Sequence, residues 1–142
     1  MEIKIKNGKE YIFDIVRKKY VRKQPEEWVR QHMIQYLNRE KGYPISLMSI
    51  EKEKKINTLK KRCDIVCNDK NGNPLLLVEC KAKKIHLTSE VFDQTITYQN
   101  KIKAKYILIT NGENHYCFEQ KKNQVEFLKK IPKYQEIINM KK

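Results

Sequence analysis

Two apolar runs, Ile65-Val66-Cys67 and Leu75-Leu76-Leu77-Val78, flank the segment Asp69-Lys70-Asn71-Gly72-Asn73-Pro74. Asn-Gly between strand-like runs is the strongest short-range signal for a β-hairpin. The runs are apolar on consecutive rather than alternate residues, so both faces of the hairpin must be covered, as in the middle of a sheet. With the turn centred on Asn71-Gly72, facing residues sum to 143, and Asp64 lands opposite Glu79. Directly opposed residues have Cβ atoms about 4.5–5.5 Å apart on one face. Lys81 is two residues beyond Glu79 and points to that same face. Opposed like charges destabilise a sheet, so something must offset them. A divalent cation is the simplest candidate. The plainer alternative is a charge cluster at a sheet end, with Arg62 and Lys81 as counter-ions. The same register sets Cys63 opposite Cys80, where free thiols are expected.

The chain has 142 residues, which suits one domain with one sizeable core. Residues 1–22 read as an N-terminal β-hairpin, turning at Asn7-Gly8, followed by a basic connector from Arg17 to Lys23. Residues 23–130 read as the core and 131–142 as a C-terminal helix or tail. Pro25, Glu26 and Glu27 open a helix that stops before Gly42 and Pro44. A strand is expected from about Ile45 to Glu51, and the central hairpin from about Arg62 to Lys81. A second helix runs from about Thr88 to Lys101, followed by a buried strand at Lys105–Thr110. Another turn at Asn111-Gly112 leads to a strand at His115–Phe118, and Val125–Leu128 reads as an edge strand. A strand–helix–strand crossover implies an α/β (α+β) fold: a central mixed β-sheet flanked by helices on both faces.

Lys and Arg total 31 against 17 Asp and Glu, a net charge of +14. Such a field attracts polyanions, and nucleic acid is the commonest in a cytoplasm. No stretch is long and apolar enough to span a bilayer, and the first residues lack a signal-peptide core. A cytoplasmic location is expected. The four cysteines form no C-x-x-C pair and no His stands at zinc-ligand spacing, so they read as buried small hydrophobes.

An Asp followed by Glu-x-Lys closing the next strand, with helices before and behind, resembles the PD-(D/E)xK nuclease superfamily. The segments Phe13-Asp14, Val16–Val21 and Pro25–Gln31 resemble, more narrowly, the N-terminal domain family of type I restriction enzyme R subunits, in particular small stand-alone members. That family's motifs, Arg-x-Asp, Glu-x-Lys and Gln-x-x-x-Tyr, match Arg62-Cys63-Asp64, Glu79-Cys80-Lys81 and Gln94–Tyr98. The likeness covers about residues 11 to 130. Cys63 stands where the superfamily name has proline, and no G-x-x-x-x-G-K-[ST] phosphate loop occurs.

The resemblance implies a restriction-endonuclease-like core and a Mg²⁺-dependent DNA endonuclease, with Mn²⁺ able to substitute. Asp64 and Glu79 become metal ligands, with the Cys80 backbone carbonyl a third. This donor count suits Mg²⁺, which takes one or two carboxylates and keeps waters. Lys81 offsets phosphate charge and orients water, because two neighbouring carboxylates favour its protonated form. Glu27 adds an acid from the first helix. Gln94 and Tyr98, one turn apart, contact DNA, together with Gln31, Arg62, Lys83 and Lys84. Two other functions stand beside this one: a non-catalytic DNA-binding or assembly module, and an RNA nuclease. Double-strand cutting requires a homodimer or a larger restriction-type assembly.

Overall fold

A computed structural model describes residues 1–51, 55–56, 59–60, 64–99, 104–122 and 124–140. At the N-terminus, β1 (Ile3–Lys6), β2 (Lys9–Asp14) and β3 (Lys19–Arg22) form a three-stranded antiparallel sheet. The expected basic connector is therefore partly a strand. Val21 pairs with Ile12 and Tyr20 with Phe13, and the two rings meet edge to face at 5.3 Å. That cross-strand aromatic pair favours a strand where the basic run suggests only a connector.

Helix α1 (Pro25–Lys41) begins with proline in its first turn and ends at Gly42. Gly42 takes the left-handed conformation at φ 75°, and its N–H and that of Tyr43 donate to Asn38 and Leu37 carbonyls. Only glycine adopts this stop without a steric penalty. The expected strand from Ile45 is shorter than its sequence suggested: Ile45–Leu47 is a single 3-10 turn after Pro44, and β4 is Met48–Glu51. Two-residue strands β5 (Lys55–Ile56) and β6 (Leu59–Lys60) pair with each other.

The central sheet has six strands in the order β11-β10-β9-β8-β7-β4. Its members are β7 (Asp64–Asn68), β8 (Pro74–Cys80), β9 (Tyr106–Thr110), β10 (His115–Lys121) and β11 (Gln124–Leu128), with β4 at one edge. Strands β8 and β9 run parallel and the other neighbours antiparallel. Helix α2 (Ser89–Gln99) makes the crossover between them, so the sheet is mixed, as expected. Thr88 caps α2 by accepting the Val91 N–H on its hydroxyl at 3.3 Å. Helix α3 (Tyr134–Met140) closes the described chain.

The two faces of the sheet have different covers. Val29, Met33, Ile34 and Leu37 of α1 and Tyr134 and Ile137 of α3 pack with Ile65, Leu76, Val78, Cys80 and Leu108. On the opposite face, Phe92 and Ile96 of α2 pack on Ile107, Ile109 and Phe118. Each fully buried aliphatic side chain contributes about 1.5–3 kcal/mol.

The central hairpin keeps the expected pairing through an unexpected route. Cys67 pairs with Leu76 and Asp64 with Glu79, but Asn68 pairs with Pro74. The turn closes with the Gly72 N–H donating to the Asp69 carbonyl at 3.1 Å, and Asp69 Oδ1 accepts the N–H groups of Asn71 and Asn73. Gly72 carries the positive φ of 82°, whereas Asn71 does not. The turn is thus longer than the two-residue form, and a bulge at Leu75 returns the pairing to the sum of 143. The bulge also lets the consecutive Leu75 and Leu76 both join the α1-side core.

Candidate functional site

At one end of the central sheet, backbone pairing sets Glu51 opposite Asp64 and Asp64 opposite Glu79. Three acidic residues on three adjacent strands therefore stand in one row. Glu51 could not be placed from sequence because the β4–β7 register depends on a connection that no short turn fixes. The side chains of Glu51, Asp64 and Tyr98, and all of Arg62 and Cys63, lie outside the described residues.

Strand alternation decides which face the site uses. Val78 and Cys80 enter the α1-side core, so Glu79 and Lys81 point to the other face, with Leu77. Both are nearly enclosed, Glu79 at 2% and Lys81 at 5% exposure. Burying a carboxylate and an ammonium costs several kcal/mol each unless they are paired, hydrogen-bonded or metal-bound. The Lys81 N–H donates to the Thr110 carbonyl at 2.8 Å, continuing the parallel ladder one residue past β8. This backbone bond fixes where the lysine leaves the sheet.

The loop after Lys81 is held from the side. Asn111 is 3% exposed; its Oδ1 accepts the N–H groups of Glu113 and Asn114, while its Nδ2 donates to the Ile85 carbonyl at 2.8 Å. Asn111 thereby pins the loop carrying Lys83 and Lys84 to the end of β9. Both lysines are exposed, and Lys83 pairs with Glu113 at 3.4 Å. In sequence Asn111 is recognisable only as half of a turn; its hold on Ile85 is a long-range contact with no local signal.

Helix α1 starts at this same end, where a Cβ on Gly112 would lie 3.4 Å from Val29. Glu27, however, is engaged elsewhere. Its carboxylate accepts from Arg17 Nη2 at 2.8 Å and contacts Arg30 Nη2. Asp14 joins both arginines: Oδ2 accepts from Arg17 Nε and from Arg30 Nη1, the latter at 3.1 Å. Its Oδ1 accepts the N–H groups of Val16 and Arg17. Asp14 and Arg30 have no solvent exposure and Glu27 has 7%. Burial opposes ionisation of Asp14, yet the Arg17 hydrogen bonds and the Arg30 charge hold its carboxyl down at about 2. This ring of two acids and two arginines, buried except on the Arg17 side, fastens the N-terminal sheet to α1.

Of the residues expected to touch nucleic acid, Lys83, Lys84 and Gln94 are exposed. Gln31 is 1% exposed, and its Nε2 has no hydrogen-bond partner among the described residues. Cys80 is fully buried on the opposite face, so only its backbone is available to the Glu79 side.

By residue type the row carries carboxylates and backbone carbonyls, hard oxygen donors of the kind Mg²⁺ takes rather than a thiophilic metal. Among the described residues, no three His, Cys, Asp or Glu side chains converge to hold a metal.

A family model for the type I restriction enzyme R protein N terminus matches residues 25–132. The chain belongs to that family. The match spans β4, the central hairpin, α2 and the Glu-x-Lys strand end of this R-protein N-terminal domain. No curated protein shows significant similarity over the chain.

Proposed function

We propose that this domain is a Mg²⁺-dependent endonuclease of PD-(D/E)xK type that hydrolyses DNA phosphodiester bonds within a restriction system. The observation that carries the reading is the β7–β8 register: Asp64 faces Glu79, and a buried lysine follows two residues on. Membership of the R-protein family supports a restriction role, and the net charge of +14 suits a polyanionic substrate.

In this reading Asp64, Glu79 and the Cys80 carbonyl hold the metal. Bound there, Mg²⁺ supplies an activated water and a counter-charge to the phosphate. Lys81 holds a positive charge beside the scissile phosphate, in surroundings of low polarity where it counts for more than in bulk water. Lys83 and Lys84 take flanking phosphates, and Gln94 and Tyr98 contact the strand from α2. Glu27 acts through its hold on Arg17 and Arg30 at the start of α1, and Glu51 completes the acidic row. A double-strand break requires a second copy or a partner assembly. Among the described residues no helix is long and apolar enough to cross a membrane.

Nicking of supercoiled plasmid in Mg²⁺ tests the proposal. Wild type cuts; EDTA, Asp64→Ala and Lys81→Ala abolish cutting. Folded protein that binds DNA but cuts no DNA form in Mg²⁺ or Mn²⁺ would instead establish a non-catalytic DNA-binding module. Selective cutting of RNA would redirect the substrate.

A further inference from the structure

The chain's single tryptophan sits beside the Glu-x-Lys strand end without serving either hydrophobic core. Trp28 is half-buried and, with Lys23, Gln24, Pro25 and Lys83, lines a cavity of about 410 Å³. The site is a shallow depression largely open to solvent, with room for one flat group against the indole rather than for an enclosed ligand. The Lys23 ammonium stands over the indole ring at 4.7 Å from its centroid, and the His32 ring meets the indole at a steep angle with centroids 4.3 Å apart, so a base stacking here takes the place of the Lys23 ammonium, which then turns to the phosphate. Lys23 pairs with Glu10 at 3.1 Å, and Lys83 pairs with Glu113 at 3.4 Å. Exposed pairs of this kind are worth about 0–1 kcal/mol and exchange readily for a phosphate.

A flat aromatic surface between two lysines matches a flat base carrying a phosphate on each side. Base–aromatic stacking needs an unpaired base, since a base within a duplex already has both faces covered. Lys83 is two residues past Lys81, on the loop pinned by Asn111, so the cavity lies at the same end of the sheet as the Glu-x-Lys motif.

We propose that the cavity takes one unpaired nucleobase, stacked on Trp28 with its neighbouring phosphates on Lys23 and Lys83. The domain then prefers nucleic acid with single-stranded character beside the cut site, such as a gap, flap or melted segment. The placement beside a cut site rests on the nuclease reading; the base pocket itself does not.

Trp28 is its own probe, because it is the sole indole. Intrinsic emission is titrated with a single-stranded DNA 12-mer, the same 12-mer built from abasic residues, and a blunt duplex. Binding is followed independently by anisotropy of labelled DNA. The single strand quenches Trp28 strongly, the duplex and abasic strands quench little, and the abasic strand binds about tenfold more weakly, the scale of one lost stack. Trp28→Leu lowers single-strand affinity about tenfold, whereas Trp28→Phe, which keeps a stacking face and preserves packing, stays within about threefold. Single-strand binding seen by anisotropy with unchanged Trp28 emission overturns the pocket, as does equal binding by wild type, Trp28→Leu and abasic DNA. Plasmid nicking in Mg²⁺ tests the nuclease reading independently of either result. Base-dependent quenching without nicking upholds the pocket and sinks only the catalysis.

Discussion

Replacing Asp14 by Asn tests the ring of acids and arginines that anchors α1. The carboxylate has no solvent exposure and accepts from Arg17, Arg30 and two backbone N–H groups. Asparagine preserves the shape and can keep the backbone bonds through its oxygen. Its amide then points donors at two guanidinium groups and leaves Arg30 short of one counter-charge. The lower limit on the cost comes from titration. The carboxyl falls from 3.8 to about 2 on folding, and each pH unit is worth about 1.4 kcal/mol, giving about 2 kcal/mol. The upper limit is the loss seen when one partner of a buried ion pair is removed, about 3–5 kcal/mol. The sign of the pH dependence follows from a depressed folded-state value. This stabilisation is present in full above the unfolded value of 3.8 and is lost as pH falls toward 2. Urea unfolding of wild type and Asp14→Asn is measured at several pH values between about 7 and 2.5. The gap between them is about 2–5 kcal/mol at neutral pH and shrinks below about pH 4, as the wild-type carboxyl protonates and comes to resemble the amide. A gap that stays constant across that range, or is absent at neutral pH, would refute the ring as described.

Other consequences are simpler to read. Gly72→Ala places a side chain at φ 82° in open space, so it lowers stability by about 1–2 kcal/mol through backbone strain alone; an unchanged denaturant midpoint counts against the turn. Burial raises the Cys67 and Cys117 thiols to about 12, and Cys80 is fully enclosed. Ellman's reagent therefore labels at most one of the four thiols in native protein and all four after unfolding; rapid labelling of two or more in the native state contradicts the packing. DNA affinity falls steeply with salt, and Lys83→Ala and Lys84→Ala each reduce the log–log slope by about 1. A flat salt dependence would remove the loop after Lys81 from the interface.

Those elements whose signals are local were legible in the sequence. The Asn-Gly turn and two apolar runs named the central hairpin, Pro25 and Gly42 bounded α1, and an alternating Val125–Leu128 marked the edge strand β11. The Asp64–Glu79 pairing was also correct, although the turn assumed for it was one residue short and the bulge at Leu75 made up the difference. What escaped depends on distant partners. β3 looks like a charged connector until Phe13 and Ile12 are brought beside it. Arg30 looks like a surface residue of a helix, yet two acids from sequence-distant and neighbouring turns let it be buried completely. Glu27, read from sequence as a site acid, is tied to the same arginines. The acidic row gained Glu51 only once the β4–β7 register was known.

The central claim is that the hairpin's acids and lysine cut DNA with a divalent metal. Its most direct measurement compares wild type with Glu79→Gln, a change that keeps side-chain volume at a buried position but removes the charge. Both are assayed for plasmid nicking across a Mg²⁺ titration, after circular dichroism shows that both are folded. The expected result is Mg²⁺-dependent nicking by wild type and a loss of at least about 100-fold (on the order of 3 kcal/mol or more of transition-state stabilisation) in Glu79→Gln, with DNA affinity in the absence of metal little changed. Equal nicking by the two proteins, or folded wild type that binds DNA and never cuts it, would contradict the claim.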